Sequence, residues 1–500
     1  MSLLKVSNLT FSYDGSYDDI FKDVSFQIDT DWKLGFCGRN GRGKTTFLKL
    51  LMGSYEYSGE ISASLDFEYF PFEINDMSQN TQDILLKITP DARNWQINRE
   101  LSKLAVHEDV LERPFSTLSN GERTKILLAG LFLRENSFLL IDEPTDHLDM
   151  AARETVARYL NGKSGFILVS HDRAFLDGCV DHILSINKAN IEVMNGNFST
   201  WWEQKKLRDA SETAENEKLK KDIKRLESAA RQSAKWADKV ESAKKGKGAA
   251  ATRKGGHDNI DTMAYNAEKS RRMQQRRKNL ERRQTTAIEE KSKLLKNLEE
   301  ADELKIHPLR YHASRLLSLE NIAVSYEGRE VFRDLSLTLE QGARIALTGG
   351  NGSGKSSILK LICGEDVPHT GAVSVGSKLV ISYVPQDASF LTGDLSDFAQ
   401  THRIDESLFK AILRKLDFSR IQFEKDMRDF SAGQKRKVLI ARSLCEHAHV
   451  YIWDEPLNYI DVLSRVQIEE LITAYEPTMI FVEHDRAFCD NIATKVVTLH

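Results

Sequence analysis

Two nine-residue stretches, GRNGRGKTT from Gly38 and GGNGSGKSS from Gly349, match the phosphate-loop pattern G-x-x-x-x-G-K-[ST]. Gly38, Asn40, Gly41 and Gly43, and likewise Gly349, Asn351, Gly352 and Gly354, let backbone N–H groups curl around phosphate oxygens at a helix N-terminus. Lys44 and Lys355 are placed to reach the β- and γ-phosphates, and the hydroxyls of Thr45 and Ser356 to ligate Mg²⁺, with Thr46 and Ser357 following in the same turn. Downstream, FLLIDEP (Phe138–Pro144) and VYIWDEP (Val450–Pro456) end apolar runs in paired carboxylates. Asp142 and Asp454 suit the metal shell, whereas Glu143 and Glu455 suit polarising an attacking water. Lys44 and Lys355 are 311 residues apart, Glu143 and Glu455 312, and His171 and His484 313. Three separated features that share one offset within two residues make this one pattern written twice.

The elements that carry these residues repeat as well. Residues 4–12 (LKVSNLTFS) and 317–325 (LSLENIAVS) read as strands leading into Tyr13 and Tyr326, and WKLGFCG and ARIALTG as the strands feeding the two phosphate loops. Between each loop and its carboxylates stand LSNGERTK and FSAGQKRK, a Ser-x-Gly turn opening a helical run, with Ser119 and Gly121 in one and Ser431 and Gly433 in the other. The fold class expected is α/β, with two tandem P-loop units.

LSNGE and FSAGQ resemble the signature motif of ATP-binding cassette (ABC) proteins, and LLIDEPTDHLD followed by LVSHDRAFL resembles the subgroup called ABC-F. The resemblance covers essentially the whole chain. It implies cassettes at 1–202 and 306–500 that pair head to tail, so that two ATP molecules with Mg²⁺ are each clamped between one phosphate loop and the other half's signature. One composite site would use Tyr13, Lys44, Thr45, Asp142, Glu143 and His171 with Ser431 and Gly433. The other would use Tyr326, Lys355, Ser356, Gln386, Asp454, Glu455 and His484 with Ser119 and Gly121, Gln386 taking part in the metal shell. In both, the tyrosines would stack on adenine, the histidines face the γ-phosphate, and Asp149 and Asp461 couple the sites. The chain departs from the family pattern at Phe72, where YFPFE stands against YVPQ, at Asn120 and Ala432 in the signatures, and at Phe430. Unequal hydrolysis at the two sites is the expectation that follows.

Five hundred residues with 41% apolar content exceed one hydrophobic core. No apolar run reaches a membrane span, and the N-terminus alternates like a strand and not like a leader, so a cytoplasmic protein is expected. Cys37, Cys179, Cys363, Cys445 and Cys489 are scattered without metal-type spacing and read as packed, reduced thiols. A net charge of −4 hides an asymmetry. Residues 203–305 hold 28 Lys+Arg against 19 Asp+Glu, whereas the remainder holds 42 against 55. Apolar residues at three and four residue steps there suggest two antiparallel helices, about 203–242 and 261–305, around a glycine- and lysine-bearing tip at about 243–260. Spacing alone leaves nucleic-acid contact, a spacer and a dimerising coiled coil open.

The resemblance narrows these. ABC-F proteins are translation factors whose linker enters the ribosomal E site near the P-site tRNA and the peptidyl transferase centre of 23S rRNA. Only 75 residues separate Lys44 from Ser119, too few for the arm insertion of housekeeping members. The linker is more similar to the antibiotic-resistance, ribosome-protection branch of the Lsa, Vga and Vml type, acting as a monomer against lincosamides, pleuromutilins and streptogramin A compounds. No C-terminal extension is expected after the last strand at Val496–His500. A housekeeping ABC-F factor, the ATPase of a transporter and a chromosome-associated ATPase remain as alternatives.

Overall fold

The computed structural model describes residues 2–13, 19–72, 74–134, 136–146, 148–187, 190–248, 305–326, 329–350 and 352–499. It divides into two compact units, residues 1–201 together with 302–500, and residues 202–301.

In the first half, β1 (Leu3–Phe11), β2 (Phe21–Asp29) and β4 (Ser58–Ser62) form an antiparallel sheet of order β2-β1-β4. Strand β3 (Lys33–Cys37) enters the phosphate loop and α1 (Lys44–Leu51). Four further strands, β5 (Asp66–Phe70), β6 (Ser137–Asp142), β7 (Phe166–Val169) and β8 (His182–Asn187), lie parallel with β3 in the order β5-β6-β7-β3-β8, and β9 (Asn190–Asn195) adds an antiparallel edge. Strands β6 and β7 are nearly continuous apolar runs because helices and the small sheet cover both faces. The small sheet supplies Leu4, Val6, Phe21, Val24 and Ile28 to a core shared with Phe36, Phe47, Leu140 and Ile167. Phe47 on α1 is fully buried at its centre, edge-on to Phe21 and Phe36.

Helices α2 (Thr81–Ile88), α3 (Asn94–Lys103) and α4 (Asn120–Leu131) lie between β5 and β6; α5 (Met150–Asn161) and α6 (Arg173–Cys179) cross back from β6 and β7. The linker opens with α7 (Phe198–Gly248), 51 residues long, which spans ~76 Å at ~1.5 Å per residue. It begins before the expected Glu203 because the Asn197 side chain caps it, accepting from the Thr200 N–H at 3.1 Å and hydroxyl at 2.8 Å, and because Phe198 and Trp201 are buried. It also runs past residue 242 as far as Gly248, into the stretch expected as the tip. Ala243, Lys244, Lys245 and Lys247 are good helix formers and a glycine costs only about 1 kcal/mol. The rest of that tip and the returning limb, 249–304, lie outside the described residues.

The second half repeats the first. Strands β10 (Arg315–Tyr326), β11 (Arg329–Glu340) and β13 (His369–Val375) form the small sheet. β12 (Arg344–Gly349), β14 (Ile381–Val384), β15 (Val450–Asp454), β16 (Met479–Val482) and β17 (Lys495–Leu499) form a parallel sheet of order β14-β15-β16-β12-β17. Its helices are α8 (Lys355–Ile362), α9 (Leu395–Thr401), α10 (Glu406–Lys415), α11 (Ala432–Cys445), α12 (Val462–Tyr475) and α13 (Arg486–Ile492). The repeat extends to backbone irregularities. Asn8 and Asn321 both sit at positive φ in a bulge, beside Gly59 (φ +105°) and Gly371 (φ +99°), where a Cβ would stand 2.5 Å from the bulged carbonyl.

The halves touch each other. Arg173 pairs with Glu469, Arg486 with Glu154 at 2.6 Å, and Arg153 donates to the His484 carbonyl at 3.3 Å. All five cysteines are free, four of them buried. Among the described residues no helix is long and apolar enough to cross a membrane.

Candidate active site

Each phosphate loop lies at the C-terminal end of a central strand, separated from the carboxylate strand by one neighbour, which is where open parallel sheets bind ligands. Gly43 and Gly354 precede α1 and α8 at φ +91° and +88°. A Cβ on Gly43 would meet Ile20 at 2.5 Å and one on Gly354 would meet Phe332 at 2.6 Å, so only glycine closes the turn. Lys44 reaches back over its loop to the carbonyls of Gly38 (2.7 Å) and Arg39 (3.2 Å) and to Asn40 Oδ1 (3.5 Å); Lys355 does the same to Gly349 (2.9 Å) and Gly350 (2.8 Å). Burial pulls both ammonium groups below their usual range, and nearby carboxylates oppose it, Asp461 first for Lys44 and Glu455 for Lys355. Gly41 and Gly352 leave open space in the cradle. Asn351 lies outside the described residues.

The Thr45 hydroxyl donates to Asp142 Oδ2 at 2.8 Å, and Ser356 lies beside Asp454. Asp454 Oδ1 is buried without a hydrogen-bond partner, and burial raises its carboxyl to about 6. Hydroxyl and carboxylate oxygens are what Mg²⁺ takes alongside phosphate oxygens, and a buried carboxylate oxygen lacking a donor fits a cation. Thr45 with Asp142 and Ser356 with Asp454 would hold it. Tyr13 and Tyr326 are about 40% exposed, and their hydroxyls bond Thr46 (2.8 Å) and Ser357 (3.0 Å), which sets both rings beside the loops. Tyr13 also packs edge-on against Phe11 and Tyr55.

Glu143 and Glu455 follow their strands at φ +48° and +47°, a conformation rare outside glycine, held by N–H bonds to Val169 (2.9 Å) and Val482 (3.0 Å). Their surroundings differ. Glu455 accepts from Gln386 Nε2 (2.9 Å) and Asn458 Nδ2 (2.7 Å), with His484 Nε2 at 3.4 Å. Burial opposes ionisation, but these donors, His484 first, outweigh it and hold the carboxyl near 2. Glu143 has Phe72 and Asp146 at the equivalent positions. It meets His171 Nε2 at 3.3 Å and accepts the His171 N–H at 3.2 Å. Burial, then Asp146 and Asp142, push it well above the carboxylate range, and burial pushes His171 well below its own. Gln386 thus stands against Glu455 and not Asp454, and Arg436, which Thr124 replaces in the first half, holds its loop by the Pro385 carbonyl at 2.6 Å. In the first half Tyr69 donates to Asp142 Oδ2 at 2.9 Å. The sequence reading missed Tyr69, Asn458, Asp146 and Arg436, although the DEPTD/DEPLN mismatch carried the signal for Asp146 and Asn458, and LSNGERTK against FSAGQKRK that for Arg436.

The signature turns are helix caps. Ser119 caps α4 and Ser431 caps α11, each in a capping box with Glu122 or Gln434. Asp149 caps α5, and Asp461 caps α12 while pairing with Lys437 at 3.0 Å. A cavity of about 1050 Å³ joins the halves. Ser119, Gly121 and Asp149 line one wall; Tyr326, Gly352, Gly354, Lys355, Ser356, Ser357, Gln386, Glu455 and His484 line the other. On the opposite side Asn40 donates to the Tyr459 carbonyl at 2.9 Å, and that carbonyl lies 2.5 Å from where a Gly433 Cβ would be, which brings the second signature to the first loop. Among the described residues no cluster of three or more His, Cys, Asp or Glu could hold a metal by itself.

Comparisons with known proteins agree with this architecture. The family model described as ABC transporter matches residues 21–146 and 332–458. The ribosome protection protein VmlR of Bacillus subtilis is 27% identical over 493 residues, covering 96% of this chain and 84% of that protein. The energy-dependent translational throttle protein EttA of Haemophilus influenzae is 26% identical over 532 residues, covering 96% and 88%. Of solved structures, an archaeal ribosome recycling factor, aABCE1, superposes with a TM-score of 0.62 at 18% identity, over 98% of this chain and 87% of that one, a likeness of fold. The chain therefore belongs to the ABC transporter family, is a P-loop ATPase, and carries the ATP-binding cassette of that family twice.

Proposed function

We propose that the chain is an ABC-F ATPase that acts on the ribosome, and that it protects the ribosome against antibiotics bound at the peptidyl transferase centre. ATP is the substrate, clamped at two composite sites: Lys44, Thr45, Asp142, Glu143 and His171 with Ser431 and Gly433, and Lys355, Ser356, Asp454, Glu455 and His484 with Ser119 and Gly121. The observation that carries the composite reading is the cavity whose walls come from the first signature and the second phosphate loop. Bound Mg²⁺ supplies charge neutralisation for the phosphates. The protein's own residues bind and orient: the lysines and loop N–H groups cradle phosphate, the tyrosines flank the base, and Glu455, ionised and held by three donors, accepts a proton from an attacking water. The signature helix N-termini favour intact γ-phosphate charge, so closure depends on ATP and hydrolysis relaxes it.

The ribosomal reading is supported by the relatives named for ribosome protection and translational throttling, each aligned over 96% of the chain. It also fits the balance of +9 between residues 203 and 305, which suits phosphate contacts, and the 51-residue helix that opens that segment. Residues 203–305 serve as the linker, entering the E site beside 23S rRNA and P-site tRNA, and the chain works as a cytoplasmic monomer. Glu143→Gln with Glu455→Gln should accumulate the protein on ribosomes in ATP; sedimentation that leaves it free would refute the ribosomal role. The EttA match favours a second reading, a housekeeping translation factor, at equal coverage. Susceptibility to lincosamides, pleuromutilins and streptogramin A with and without the gene separates the two, since only the protection factor changes it. Deleting residues 244–259 should spare ATP hydrolysis and abolish protection.

A further inference from the structure

The two composite sites differ in a place that touches neither carboxylate. In the first phosphate loop Arg39 and Arg42 occupy positions held in the second by Gly350 and Ser353. Both guanidinium groups face the other half: Arg39 Nη1 lies 3.6 Å and Arg42 Nη2 3.9 Å from Asp417 Oδ1. Asp417 sits just past α10 in a left-handed turn (φ +68°), its N–H on the Arg414 carbonyl. The first half builds the same turn after α3, with Ala105 at φ +51° and its N–H on the Ser102 carbonyl. Ala105 lines the cavity opposite the second phosphate loop, as Asp417 faces the first. The turn is thus duplicated while its charge is not, and the arginines are present only where the aspartate waits for them. Burial raises the Asp417 carboxyl, and Arg39, Arg42 and Lys437 draw it back, with Asp461 opposing them.

We propose that Arg39, Arg42 and Asp417 form an ion-pair latch that holds the first composite site shut across the cassette interface, so that the second site, with Gly350, Ser353 and Ala105 in their place, opens first to exchange nucleotide. The latch rests on the composite-site assignment above and is independent of any ribosomal role. Arg39 and Arg42 position one half against the other through Asp417, which is itself outside the phosphate loop.

The test is release of a fluorescent, non-hydrolysable ATP analogue with Mg²⁺ from the full chain, chased with excess ATP in stopped flow. Bound stoichiometry in the same samples, two per chain, reports separately on the site assignment. Two release phases are expected. Asp417→Ala should speed the slow phase roughly threefold to tenfold, the scale of two partly exposed ion pairs, and leave the fast phase alone. Asp417→Asn, which keeps the turn's left-handed preference, serves if Asp417→Ala folds poorly. Arg39→Gly with Arg42→Ser in the Asp417→Ala background should add no further acceleration of the kind lost with the aspartate. Raising the salt to about 0.5 M should speed the slow phase of the wild type more than that of Asp417→Ala, in which the Arg173–Glu469 and Arg486–Glu154 pairs between the halves remain. Conversely, Gly350→Arg with Ala105→Asp should slow the fast phase; a side chain at Gly350 meets nothing within 4 Å. A single release phase in the wild type, an unchanged slow phase in Asp417→Ala, or full additivity with the arginine variants overturns the latch.

Discussion

Exchanging the surroundings of the two catalytic-glutamate candidates tests the division of labour most directly. Gln386→Phe with Asn458→Asp gives Glu455 the neighbours that Glu143 has. It removes donors at 2.9 and 2.7 Å from an ionised carboxylate and sets a like charge in place of one of them. Hydrogen bonds to charged groups are worth about 1.5–3 kcal/mol each, so complete loss would approach about 3–6 kcal/mol. The site is partly open to water, and neighbouring losses do not add fully, so a loss of about 3–4 kcal/mol is expected, roughly a hundred- to thousandfold in rate. Single-turnover hydrolysis by rapid quench, in a Glu143→Gln background that leaves one site working, reads this directly. Phe72→Gln with Asp146→Asn in a Glu455→Gln background should raise first-site hydrolysis. If both exchanges change their rates less than about threefold, the donors do not govern hydrolysis and the argument fails.

Three further outcomes concern stability. Phe47→Ala leaves a cavity between Phe21, Phe26 and Phe36 and should cost about 3–5 kcal/mol by chemical denaturation. Gly371→Ala places a Cβ 2.5 Å from the Asn321 carbonyl at φ +99° and should cost roughly 1–3 kcal/mol, whereas Gly364→Ala, with open space around it, should cost less. Glu100, 1% exposed in its side chain, is held near 2: burial pushes it up, but bonds from Lys163 (2.5 Å) and Lys103 (2.9 Å) prevail. Burial draws Lys163 down despite the pair, so the net contribution is smaller than the carboxylate shift alone implies, about 1–2 kcal/mol. A depressed carboxyl stabilises the fold above the unfolded value near 4.5 and loses that contribution as pH falls toward 2. The stability gap between wild type and Glu100→Gln should therefore shrink from pH 6 to pH 3; a gap independent of pH contradicts the assignment.

Much of the fold is legible in sequence because its signals are local. Phosphate-loop glycines demand positive φ, Ser-x-x-Glu and Ser-x-x-Gln make capping boxes at Ser119 and Ser431, and buried parallel strands read as unbroken apolar runs. The repeat offset then doubles every local signal. Where local signals compete, sequence reading slips: the glycines among Lys244–Gly248 suggested a turn, yet the helix includes Gly246 and reaches Gly248, and its start is set by burial of Phe198 and Trp201, which spacing does not display.

The sequence by itself determined that there are two phosphate-loop units, which residues make up those loops, and that the segment between them is basic. Only the tertiary structure decided which residues become partners. Asn458 and Asp146 differ by one atom type in otherwise equivalent positions, but that difference matters only once each lies beside a buried glutamate. Arg39 and Arg42 are about 375 residues from Asp417, and nothing in their local patterns says that they meet. Electrostatic energy depends on distance and burial through three dimensions, so the asymmetry of the two sites, written in single residues, takes its meaning from the packing of one half against the other.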